Sequence, residues 1–188
     1  MFLKDYYLRL NKKFNKVKFN GIAFDSNQVK KDYIFFAIKG NKFDGNKFVK
    51  EVIKKGSKII VSEKIKERFE NNILYLKNKN PRKLLAEFAA KINHKRPNNL
   101  IAVTGTNGKS SIANFYYQIL KLNKIKVSSI GTLGVSGINY KKKISNTTFD
   151  PIQLNKILGI LKKKRIENVI IEASSHGLKQ HRLDGLKF

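Results

Sequence analysis

The stretch VTGTNGKSS, residues 103–111, gathers two glycines, a lysine and two serine hydroxyls. Gly105 and Gly108 let the backbone curl with its N–H groups inward. Lys109 adds a mobile cation for terminal phosphates, and Ser110 offers a hydroxyl to Mg2+ at the start of a helix whose dipole favours anions. These parts suit a nucleoside triphosphate. Against the pattern G-x-x-x-x-G-K-[ST], Val103 stands where the first glycine would be, so the loop is a shortened variant. A ligand-free strand-to-helix turn is the plainer alternative. The apolar strand before the loop and the amphipathic helix after it are the context a phosphate loop requires.

A second cluster, EASSHGLKQHR (172–182), places Glu172 at the end of an apolar run, followed by Ser174, Ser175, His176, Gln180, His181 and Arg182. A carboxylate leaving a strand end beside a phosphate loop is a natural Mg2+ ligand, because that ion prefers oxygen donors. Taken without the loop, the same residues read as a helix N-cap and a solvated turn. The spacing of five between His176 and His181 argues against a zinc dyad. A third run, SNTTFD (145–150), presents Asn146, Thr147 and Thr148; alone it is a turn or a helix cap.

Strands and helices must bring these clusters together. Apolar runs at 21–26, 32–38, 57–62 and 72–76 read as strands. Helical patterns cover 46–56 and 81–93, the second opened by Pro81. HKRPNN (94–99) reads as a connection, giving an α/β domain over 1–97 and a second domain over 98–188. In the second, NLIAVTG is a buried strand, and a helix from Lys109 aligns Ile112, Phe115, Tyr116, Ile119 and Leu120 on one face. KVSSIGTLG is the next strand. Asp150 and Pro151 start a helix with Leu154, Ile157, Leu158 and Leu161 inward, and ENVIIEASS is a third strand. This alternation implies an α/β fold with a parallel sheet and ligand sites at the carboxyl ends of its strands.

Composition bounds the rest. Absence of cysteine removes disulfides, thiolate nucleophiles and cysteine-based zinc sites. No apolar run approaches the roughly 20 residues that span a bilayer, and the N-terminus lacks a signal peptide's apolar centre, so a cytoplasmic protein without membrane attachment is expected. The net charge of +27 suggests a polyanionic partner. Lysines are nevertheless scattered along the chain rather than clustered, which disfavours a nucleic-acid surface.

Together these residues resemble the Mur ligases, the ATP-dependent amide-forming enzymes of peptidoglycan precursor synthesis. The loop 105–110 resembles the family's short ATP loop, which accounts for Val103 and would also suit folylpolyglutamate synthases. The element EASSHGLKQHR, with NTT and the DS…V…IFFAIKG…DG pattern of the first domain, is the stronger point of likeness. Departures are mild: Asn27 stands where Arg is usual, Ser110 and Ser111 where Thr is common, and Phe149 in place of a frequent Pro.

The resemblance implies a small N-terminal UDP-sugar-binding domain followed by an incomplete P-loop-type ATP-binding domain. The activity implied is addition of a third amino acid, meso-diaminopimelate or lysine, to UDP-N-acetylmuramoyl-L-alanyl-D-glutamate through an acyl phosphate. Gly105, Thr106, Asn107, Gly108, Lys109, Ser110 and Ser111 would bind ATP; Ser110 and Glu172 would hold Mg2+; Lys109 and Glu172 would serve catalysis. Asn146, Thr147, Thr148, Ser174, Gln180 and Arg182 would hold the muramoyl-dipeptide, and Phe24, Ser26, Asn41, Lys42 and Phe43 its UDP end. Family members continue with further metal-binding residues and a third domain, so the resemblance also implies a monomeric fragment that does not turn over alone. A basic nucleotide- or nucleic-acid-binding module using the same loop is the alternative from another class.

Overall fold

Apolar runs alternating with amphipathic helices build two α/β units, Met1–Phe88 and Ala89–Phe188. The computed structural model describes residues 1–7, 10–40, 43–139 and 147–188. Asn41, Lys42 and Asn146, three of the expected substrate residues, lie outside the described residues. The division falls inside the helix that begins at Pro81, ahead of the turn at 94–99 where composition changes.

In the first unit the strands are β1 (Gly21–Ala23), β2 (Tyr33–Phe36), β3 (Ile59–Ser62), β4 (Arg68–Glu70) and β5 (Ile73–Lys77). They lie in the order β1-β2-β3-β5-β4, with β4 alone antiparallel. β4 has three exposed residues, two of them charged, as edge strands often do. Its lack of apolar alternation hides it from a periodicity reading. The helical pattern at 46–56 divides into a 3-10 turn, Gly45–Phe48, and α1 (Val49–Lys54). α2 spans Pro81–Ile92. Ala23, Phe35, Val52 and Ile60 share one buried cluster. Phe88 of α2 stacks edge-on against Phe36 at 5.6 Å between ring centroids.

The second unit orders its sheet β6-β9-β7-β8, from β6 (Asn99–Val103), β7 (Val127–Gly131), β8 (Gly134–Val135) and β9 (Asn168–Glu172). β6, β9 and β7 run parallel, and β8 folds back antiparallel on β7. The helices are α3 (Lys109–Leu122), α4 (Pro151–Lys163) and α5 (Ser175–Lys179). α4 starts as its sequence dictates: Asp150 Oδ1 accepts the Gln153 N–H at 2.9 Å, and Pro151 occupies the first turn. Leu154, Ile157, Leu158 and Leu161 are all buried, against Phe149, Ile166, Val169 and Ile171. Phe149 is therefore a core residue.

α3 differs from its helical-wheel reading. It packs on β7 and β9, with Ala113 buried and Tyr116, Tyr117 and Leu120 half-buried. Ile112, Phe115 and Ile119, placed by periodicity on the inward stripe, are 53–61% exposed. Period alone marks an apolar stripe without saying which part of it meets the sheet. Among the described residues no helix is long and apolar enough to cross a membrane.

Candidate functional site

The strand order decides what meets what. β9 lies between β6 and β7, so the residues leaving β6 and β7 flank Glu172 at the carboxyl end of β9. Val103 pairs with Glu172 in the β6–β9 register, and Gly131 follows the Ile130–Ile171 pair on the other side. Glu172 is only 2% exposed. Its Oε2 accepts from Ser110 Oγ at 2.9 Å and from Thr132 Oγ1 at 2.9 Å, while Oε1 accepts the Thr132 N–H at 3.2 Å. No lysine or arginine forms an ion pair with it among the described residues.

A carboxylate so buried, surrounded by hydroxyls and lacking a cation, fits a hard divalent ion. No group of three or more His, Cys, Asp or Glu that could hold a metal occurs among the described residues. Glu172 and the Ser110 hydroxyl are the residues that would hold such an ion.

The loop itself has the conformation its glycines permit. Gly105 has φ 149° and Gly108 φ 79°, and Gly108 is the N-cap of α3. A Cβ on Gly108 would meet nothing within 4 Å, so it is the backbone angle that demands glycine. Thr106, Asn107 and Ser111 are exposed, and Lys109 is half-buried. Its ammonium donates to the Gly105 carbonyl at 2.6 Å and the Thr106 carbonyl at 3.1 Å.

The remaining second-unit residues fall into two sorts. Thr147 is half-buried, its hydroxyl 3.1 Å from that of Thr132. Thr148 is 1% exposed and fully engaged: its hydroxyl donates to the Glu172 carbonyl at 3.0 Å, accepts the Ser174 N–H at 3.0 Å and lies 3.1 Å from Ser174 Oγ. Ser174 Oγ in turn accepts the Gly177 N–H at 3.0 Å, capping α5. Thr148 and Ser174 thus tie the turn before α4 to the end of β9.

Arg182 donates through Nη1 to the Thr148 carbonyl at 2.5 Å and through Nε and Nη2 to Gln180 Oε1 at 3.1 and 2.8 Å. Burial lowers its pKa, and nearby Asp150 opposes that shift. Gln180 Nε2 lies 2.7 Å from His176 Nε2, and His181 Nδ1 lies 3.0 Å from Asp184 Oδ2. The two histidines therefore have separate partners.

In the first unit, Phe24 is half-buried just beyond β1, and Ser26 is buried at the start of a 3-10 turn capped by Asp25, whose Oδ1 accepts the Asn27 N–H at 2.9 Å. Phe43 is 73% exposed. Exposed Asn27 makes no side-chain hydrogen bond among the described residues.

Two family patterns match this sequence: residues 18–93 match the Mur ligase family catalytic domain, and residues 103–188 the Mur ligase middle domain. The chain belongs to the Mur ligase family. A Rickettsia montanensis protein named UDP-N-acetylmuramoyl-L-alanyl-D-glutamate--2,6-diaminopimelate ligase is 38% identical over 182 residues, covering 95% of this chain and 38% of the relative. A solved UDP-N-acetylmuramoyl-L-alanyl-D-glutamate--2,6-diaminopimelate ligase superposes with TM-score 0.78 at 25% identity, over 99% of this chain and 38% of that one. The MurF ligase of Thermotoga maritima, solved in complex with ADP, shares the fold at TM-score 0.53 and 21% identity, over 82% of this chain and 32% of that one. The chain thus spans about 38% of the length of the curated relative.

Within this Mur ligase chain the geometry also engages residues that motif spacing passes over. Gly131 and Thr132 read as the tail of a strand, yet both touch Glu172. The available signal is a glycine and a hydroxyl at the carboxyl end of an apolar strand, in a sheet whose other strand ends carry the phosphate loop and the carboxylate.

Proposed function

We propose that this chain supplies the UDP-sugar-binding and ATP-binding parts of a cytoplasmic ligase that joins 2,6-diaminopimelate to UDP-N-acetylmuramoyl-L-alanyl-D-glutamate. Residues 1–97 serve the first part and 98–188 the second. The names of the curated relatives favour diaminopimelate over lysine. The observation that carries the proposal is the buried Glu172 carboxylate held by Ser110 of the phosphate loop, 62 residues away in sequence.

The loop N–H groups of 105–111 position the phosphates of ATP, and Lys109 offsets charge on the γ-phosphoryl group. Ser110 and Glu172 hold Mg2+, which supplies neutralisation of charge on that group when bound. An oxygen of the substrate's terminal carboxylate bonds to the γ-phosphorus as the bond to ADP breaks. The amine nitrogen of the incoming amino acid, its excess protons passing to water, then bonds to the acyl carbon as the bond from that carbon to the phosphate oxygen breaks and phosphate leaves. Arg182, with Gln180 beside it, grips a substrate carboxylate; among the described residues three of its N–H groups orient the guanidinium, and the other two serve the substrate. Asn146, Thr147 and Ser174 contact the muramoyl-dipeptide, and the buried Thr148 serves it indirectly by holding Ser174 in place. Phe24, Ser26 and 41–43 take the UDP end.

Titration of the chain with UDP-muramoyl-dipeptide tests this assignment. Saturable binding that weakens at least about 10-fold in Arg182→Lys, where planar two-point contact is lost, is expected. Equal affinity in both proteins, or binding only to polynucleotides in a salt-sensitive manner, contradicts it.

A further inference from the structure

A glutamate leaving the end of a central strand has several rotamers open to it, and a metal-binding carboxylate is useful only in one. The Glu172 side chain leans across β7 instead of standing free above the sheet. A Cβ built on Gly131 would lie 2.1 Å from Glu172 Oε1, 2.3 Å from its Cδ and 2.5 Å from its Cγ. No side chain at 131 is compatible with that rotamer. The next residue, Thr132, contacts both carboxylate oxygens, its N–H on Oε1 and its hydroxyl on Oε2. Thr132 has one hydroxyl proton and a carboxylate only accepts. The proton therefore goes to Glu172, and Thr132 Oγ1 is left to accept from Thr147, 3.1 Å away. Among the described residues, three of the carboxylate's roughly four acceptor positions are filled by these bonds and Ser110, leaving capacity on Oε1.

We propose that Gly131 and Thr132 are the positioning residues of Glu172: the glycine provides the space in which the carboxylate lies, and the threonine fixes its direction toward Ser110. Both act through Glu172. Their effect is to order the carboxylate before the ion arrives, so that less ordering is required on binding. Thr147 joins the same hydroxyl chain, linking the run before α4 to the carboxylate. This inference rests on the assignment of Glu172 as a Mg2+ ligand.

Mg2+ titration at a fixed ATP concentration, followed by calorimetry, tests it with the chain as it stands. Thr132→Val removes the hydroxyl while keeping the N–H, Thr132→Ser restores the hydroxyl, and Gly131→Ala fills the carboxylate's space. We expect apparent Mg2+ affinity to fall roughly 10-fold in Thr132→Val and Gly131→Ala, and to stay within about 2-fold of the starting chain in Thr132→Ser. Affinity for metal-free ATP should stay unchanged in all three, showing that the loop remains folded. A merely structural role would change both affinities together. Should Gly131→Ala unfold, the threonine pair decides the matter. Mg2+ dependence that is strong in the starting chain and identical in Thr132→Val overturns the positioning inference alone. A starting chain that binds ATP without any Mg2+ dependence overturns the metal assignment and this inference with it.

Discussion

Gly177 lies so near Thr148 that a Cβ on the glycine would meet the threonine's Cβ and Oγ1 at 2.8 Å. The contact brings the first turn of α5 down onto the run before α4, and the Thr148 hydroxyl then joins the Glu172 carbonyl, the Ser174 N–H and the Ser174 hydroxyl at one point. Two motifs 26 residues apart are fastened there. Thr148→Val keeps the shape and removes the hydroxyl, leaving a buried carbonyl and a part-buried N–H without that partner. The second unit should lose about 1–3 kcal/mol by chemical denaturation, with a smaller loss in Thr148→Ser. Equal stability of Thr148→Val would mean that the hydroxyl is not what fastens the site.

Asp150 caps α4 through the Gln153 N–H. Asp150→Ala should lower the stability of the second unit by about 1 kcal/mol, and Asp150→Asn by less, because an amide oxygen still accepts from that N–H. Asp150 also favours the charged form of Arg182. Denaturation curves of the two variants, run side by side, check the difference.

Glu167 is held below the ordinary carboxylate range first by its hydrogen bond from Lys162, at 2.6 Å, and then by the Asn98 N–H at 2.9 Å. The folded pKa is lower than the unfolded one, near 4.5. The resulting stability is fully present above the unfolded value and disappears as pH falls through the folded one. Glu167→Gln should therefore narrow its Tm difference from the starting chain as pH drops from 7 to below about 4. The pair is half-buried and still reached by solvent, and raised salt should shrink the difference at pH 7. A Tm difference independent of pH would contradict this.

Much of the second unit is legible in the sequence, because α4 and β9 are marked by a strong cap and a near-continuous apolar run; the run of β6 also marks a strand, but at the sheet edge and with only Leu100 buried, not the buried strand its composition suggests. Val103 falls in β6 as the shortened loop requires, and Leu154, Ile157, Leu158 and Leu161 form the buried face of α4. Other features depend on pairings that a linear sequence does not display. β4 exists because Arg68–Glu70 folds back on β5, and its exposed residues carry no periodic signal. The inward side of α3 is set by β7 and β9, so Ile112 and Phe115 lie outside despite their spacing. In the candidate site, the loop lysine, Ser110 and Glu172 stand out by chemical type. Gly131 and Thr132 acquire meaning only once β9 is seen to lie between β6 and β7. Thr148 and Ser174 look like ligand-binding hydroxyls in the sequence, whereas in the fold their hydroxyls bond to one another and to the backbone.

Calorimetric titration of the chain with ATP and Mg2+, compared with Lys109→Ala, tests most directly whether the shortened loop is a triphosphate site. Saturable one-to-one binding, weakened at least about 10-fold when the ammonium is removed, is the predicted result, since a charge-assisted contact to phosphate contributes about 1.5–3 kcal/mol. Absence of binding, or an affinity unchanged by Lys109→Ala, would contradict it.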